Sequence, residues 1–93
     1  MTVFVDNYEG RFGRMIMCHM MSDANLEELH AMADAIGLRR AWFQSHGSAP
    51  HYDVCKSRRQ EAIARGAVEL SIRSEEWRRV YRAAKQLKTD SGR

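Results

Sequence analysis

Met15-Ile16-Met17-Cys18-His19-Met20-Met21 is the stretch whose reading decides the fold. A short apolar run of this kind fits either a buried strand or a turn of helix. We read it as a strand, which puts the chain into an alternation of strands and helices. His19 breaks the run, which falls far short of the ~20 apolar residues needed to cross a bilayer.

Upstream, Thr2 to Val5 is a short β-rich run ending in Asp6, a carboxylate at the carboxyl edge where α/β sheets hold their ligands. Asn7 to Arg14 reads as an exposed loop; the glycines of Gly10-Arg11-Phe12-Gly13-Arg14 do not have the spacing of a Walker or dinucleotide fingerprint. Downstream, Asn25 caps a helix with Glu28 as its reciprocal partner, and Leu26, Leu29, Ala33 and Ile36 follow at helical spacing before Gly37 stops it. Arg40 to Gln44 is apolar on both faces and reads as a central strand with Trp42 in the core. Ser45 to Pro50 is a loop of turn formers. Ser57 caps a second helix, with Gln60 as its partner, that runs through Ala62 and Ile63 to Gly66. Ala67 to Ile72 alternates as a strand. Ser74 caps a final Arg-rich helix over residues 74–88, buried through Trp77, Val80, Tyr81, Ala84 and Leu87, and residues 89–93 read as a tail.

These elements predict one small α/β domain over residues 1–93, with three helices and a largely parallel sheet of three to four strands, because the connections read as too long for hairpins. With 93 residues and 44% hydrophobic content there is no room for a second domain, and homodimerisation is left open. The chain opens directly on strand-forming residues without the marks of a signal peptide, and Cys18 and Cys55 have no C-x-x-C spacing, so a cytoplasmic protein with reduced thiols and no membrane segment is expected. The net charge of +3 is modest, but 12 Arg against 3 Lys suits bidentate contacts to phosphate or carboxylate. A GC-rich genome would give the same bias.

Chemistry-bearing residues concentrate in His51-Tyr52-Asp53, followed by Cys55, Lys56, Arg58 and Arg59. If the segment is extended, His51 and Asp53 point one way and Tyr52 the other. The amino end of the following helix, with Lys56 and Arg59, reads as an anion site. His30 lies in the apolar stripe of its helix, where a lone histidine is a core residue satisfied by a carbonyl; Asp34 one turn on would let both groups meet at one point. Asp6, His30, His51 and Asp53 are therefore expected in one pocket, a set of neutral imidazoles and carboxylates that suits acid–base catalysis or a divalent metal ion. No closed set of four Cys or His ligands marks a structural zinc site.

The run Val5-Asp6, Cys18-His19, Glu28-Leu29-His30-Ala31, Gly37-Leu38, Trp42-Phe43-Gln44, His51-Tyr52-Asp53, Arg59, Ala62 and Gly66-Ala67 resembles the small bacterial and phage family known as domain of unknown function 4031. The resemblance covers residues 2 to about 73 and leaves the last helix outside. It implies that Asp6, His19, His30, His51, Tyr52, Asp53 and Arg59 match positions of the family's pattern, which adds His19 to the expected pocket of Asp6, His30, His51 and Asp53, and it brings no activity with it.

The functional expectation is an anionic, phosphorylated, nucleotide-like ligand in a His/Asp/Arg pocket, with Arg59, Lys56, Tyr52 and His30 binding it. In a hydrolase or phosphodiesterase-like reaction His51 would be the base, oriented by Asp53, with His19 and Asp6 completing the catalytic set. The alternative is a non-enzymatic phage or bacterial protein that binds a host protein or nucleic acid through Arg78, Arg82 and Lys85; a row of this kind is more often the solvated side of a helix.

Overall fold

In a computed structural model that describes residues 2–87, Met15–Ser22 (β3) is a strand of eight residues and the hub of a five-stranded sheet. Val3–Val5 (β1) and Gly10–Phe12 (β2) both pair antiparallel to it. Tyr52–Cys55 (β4) pairs antiparallel along its other edge, since Met17 and Met20 each have partners on both sides. Val68–Glu69 (β5) lies beside β1 and makes the one parallel pairing among the described strands. The sheet is thus mixed, in place of the largely parallel sheet expected from the sequence. The difference arises at Asn7 to Arg14, where β2 turns back onto β3 through Gly13-Arg14 and Gly13 supplies a φ of 63°. A positive φ is open to glycine without steric cost, so a segment that reads as a loop closes a hairpin.

Leu26–Ala35 (α1) begins where Asn25 Oδ1 accepts from Glu28 N, as its sequence predicts, and ends at Gly37 with φ 84°. Arg40–Trp42 is a single 3₁₀ turn and not a central strand. Trp42 is half exposed beneath Arg39, while only Phe43 turns inward, because this stretch passes around the edge of the sheet instead of through it. Lys56–Ala64 (α2) starts straight from β4 with Cys55 at its cap position; Ser57 lies inside the first turn and is not the cap. The Ala67 to Ile72 strand is shortened to β5, because Ser71 O accepts from Ser74 N and turns the chain into Glu75–Lys85 (α3). Ser74 caps α3 by accepting from Trp77 N. The tail expected over residues 89–93 lies outside the described residues.

Strand alternation sorts the core into two layers. On one face Val3, Val5, Cys18, Met20, Tyr52 and Val54 meet α1 and α2 through Leu29, Ala33 and Ala62. On the other, Phe4 and Met21 meet Trp77, Val80 and Ala84 of α3. His19, Asp53 and His51 are on this second face by the same alternation, since His19 pairs directly with Asp53.

Because Trp77 is almost fully buried and Trp42 is half exposed, Trp77→Ala should lower unfolding free energy by about 3–5 kcal/mol. Trp42→Ala should change it by less than about 0.5 kcal/mol. Urea denaturation followed by far-UV circular dichroism tests both; equal losses would contradict the assignment of α3 as a covering layer.

Candidate functional site

The site begins with a defect in the sheet. Val5 pairs with Met20 and Gly10 with Met17, so the four residues 6–9 face only Cys18 and His19 and must bulge outward. Asp6 repairs the interrupted ladder. Its backbone N–H donates to His19 O at 3.1 Å, and its side-chain Oδ1 accepts from His19 N at 2.8 Å and from Tyr8 N at 3.2 Å. Its other oxygen, Oδ2, accepts from His19 Nδ1 at 2.7 Å. The carboxylate is fully buried and makes the last three of these contacts. Released from the ladder, the Asp6 carbonyl accepts from Arg59 Nε at 2.7 Å.

His19 therefore has its Nδ1 committed to Asp6, which leaves Nε2 as the nitrogen free for a ligand. The hydrogen bond to Asp6 raises the pKa of His19 above its ordinary value; burial opposes the shift, and the Asp6 and Asp53 charges add to it. His51 is buried, and its Nδ1 donates to Ala49 O at 2.9 Å, which fixes the tautomer and turns Nε2 towards Asp53 Oδ1 at 3.4 Å. Asp53 Oδ2 accepts from Gln44 Nε2 at 2.9 Å. Gln44 is itself locked to His51 by two backbone hydrogen bonds of 2.9 and 3.0 Å. The two imidazoles meet edge to face at 5.3 Å, and the half-exposed Tyr8 ring stacks on His19 at 4.9 Å. One ligand atom each from His19, His51 and Asp53 lie within 4.8 Å of one another.

Of the residues singled out in the sequence, Asp6, His19, His51 and Asp53 come together. His30 and Tyr52 do not join them. Tyr52 points to the opposite face, where its buried hydroxyl meets His30 Nδ1 at 2.8 Å beside Phe43. Desolvation raises the Tyr52 pKa, as suits a core hydroxyl. Arg59 and Lys56 are also apart from the cluster. They line a separate cleft of about 170 Å³ with Cys18, on the α2 side of the sheet. There Arg59 pairs with Glu69 and Lys56 with Glu9, both at 3.3 Å. Sequence reasoning passed over Gln44, Tyr8 and the Ala49 carbonyl as site residues. Gln44 matters through a bridge to His51 that no local pattern announces, whereas an aromatic residue in a polar loop two positions after Asp6 was a usable signal for Tyr8.

Two outcomes follow from the Asp6–His19 pair. Asp6→Ala leaves His19 N and Nδ1 without their acceptor at a half-buried place and should cost about 1–3 kcal/mol in denaturant titration. Because the folded His19 pKa is raised above its ordinary 6.5, the pair's contribution is fully present below that value and is lost as pH rises through the folded pKa. In chelator-containing buffer the wild-type denaturation midpoint should fall across that window, and Asp6→Asn should flatten the fall. A midpoint that rises there would contradict a protonated His19 as the stabilising form.

Compared with known proteins, the chain matches no curated protein and no solved structure. A family model does match, and its span extends through most of α3, the helix that the sequence resemblance left outside. The chain belongs to the family described as "Protein of unknown function (DUF4031)", whose model covers residues 3–84.

Proposed function

We propose that the His19, His51 and Asp53 cluster binds a phosphorylated, nucleotide-like ligand and hydrolyses its phosphate ester. The observation that carries this reading is the way each imidazole is held by its Nδ1, to Asp6 and to Ala49 O, so that reactive nitrogens face one carboxylate. Tyr8, half exposed and stacked on His19, offers a ring face on which a base can rest. In the reaction, the oxygen of water bonds to phosphorus as the ester P–O bond breaks. A proton of that water passes to an acceptor of the cluster, and the leaving oxygen is protonated in turn.

A thermal-shift screen over nucleotides and sugar phosphates tests binding, since a ligand at 100 times its dissociation constant adds about 2.7 kcal/mol. Recovery of the best ligand after incubation with excess protein tests turnover. The expected result is conversion that disappears in His51→Ala and Asp53→Asn while circular dichroism shows both variants folded. Ligand recovered unchanged would reduce the role to sequestration. Absence of any shift, or conversion that survives both substitutions, would remove the cluster from this function.

A further inference from the structure

We propose that His19, His51 and Asp53 form a site for a divalent transition-metal ion of the zinc class, with coordination positions left open to solvent. The inference deepens the hydrolytic reading above and rests on it for its biological use, but not for its geometry. Two imidazole nitrogens and one carboxylate oxygen are the donor set that suits zinc, iron, cobalt or nickel better than calcium or magnesium. A tetrahedral ion with arms of roughly 2.1 Å holds neighbouring donors roughly 3.4 Å apart. His51 Nε2 and Asp53 Oδ1 already stand at 3.4 Å. The third donor, from His19, lies within 4.8 Å of the other two.

The outer contacts of these three residues are of the kind that metal ligands have. His19 Nδ1 donates to Asp6, His51 Nδ1 donates to Ala49 O, and Asp53 Oδ2 accepts from Gln44. Partners of this sort fix the tautomer, aim the lone pair and raise ligand basicity. With Nδ1 donating to Ala49 O, His51 presents Nε2 to the carboxylate oxygen of Asp53. A metal ion held between His51 Nε2 and Asp53 Oδ1 can also draw in His19. The ligands sit on rigid backbone, since His19 and Asp53 are cross-strand partners and His51 is bridged to Gln44.

Three protein ligands with free positions are the catalytic arrangement, not the closed structural one. The ion would supply what the face otherwise lacks for an anionic ligand. Asp53 alone repels a phosphate, and Arg59 and Lys56 are engaged with Glu69 and Glu9 on the α2 side. A bound ion polarises a phosphoryl oxygen and acidifies its water.

The test uses the untagged full chain, stripped with chelator and titrated with Zn²⁺ by calorimetry and with Co²⁺ by visible spectroscopy, without any organic ligand. The expected result is one ion per chain, with Co²⁺ absorption bands of low-symmetry coordination. Asp53→Asn, at a partly exposed position, should abolish those bands while the fold persists. Gln44→Ala, which leaves all three ligands in place, should weaken binding by about 10- to 100-fold. A folded, stripped chain that takes up neither ion, or affinity unchanged in both variants, overturns the site. Metal binding without a phosphorylated ligand that shifts the melting point would leave the site standing and end the hydrolytic reading. A phosphorylated ligand that binds equally well in chelator, to a chain that takes up neither ion, would do the reverse.

Discussion

The structure depends on one carboxylate standing in for a peptide carbonyl. Where the bulge at residues 6–9 pulls the backbone away from β3, Asp6 Oδ1 takes the hydrogen bond of His19 N. Without it, the central strand would have a buried N–H unpaired in the middle of its length, at a cost of about 1–3 kcal/mol. The substitution frees the Asp6 carbonyl for Arg59 and leaves Oδ2 for His19 Nδ1. A single residue thereby ties β1, β3 and α2 together and at the same time aims the ring of the candidate site. Fold and site share this residue, so neither can be altered there without the other.

The layers divide the remaining polar chemistry. On the face covered by α1 and α2, His30 and Tyr52 satisfy one another inside an apolar cluster. On the α3 side, α3 packs against Phe4 and Met21, and the cluster of His19, His51 and Asp53 occupies the same face farther along β3 and β4. Alternation along two adjacent strands is sufficient to make this division, because each step of one residue changes the face. The same tripeptide, His51-Tyr52-Asp53, therefore serves a core on one side and a site on the other.

Much of this was legible in the sequence where a local rule applies. The Asn25 and Ser74 caps, the stop at Gly37 and the opposed directions of Tyr52 and Asp53 all follow from short-range chemistry. The hairpin at Gly13-Arg14 was hidden because Gly10-Arg11-Phe12 has neither length nor alternation to mark a strand, and its pairing with β3 supplies the order. Arg40 to Gln44 misled for the opposite reason: its apolar residues suggest burial, yet Trp42 lies against Arg39 at the surface. For the site, residue types identified Asp6, His19, His51 and Asp53. They could not show that Arg59 would spend its guanidinium on Asp6 O and Glu69, or that Gln44 would reach Asp53. Those contacts join residues from separate elements and are set by tertiary packing.

The direct passage of β4 into α2, with no connecting residue, makes this junction a gear with no slack. A residue inserted between Asp53 and Cys55 would either reverse the faces of the strand or turn α2 by about 100° about its axis. The first would carry Asp53 into the α1–α2 core; the second would swing Arg59 away from the Asp6 carbonyl. Length variation can instead be absorbed at the exposed turn of Gly13-Arg14 or in the stretch from Ser45 to Ser48, where no strand must keep step with a helix. Within a chain of this size, the segment from His51 to Arg59 behaves as one indivisible part that carries two of the three cluster residues at one end and the anchor of the bulge at the other.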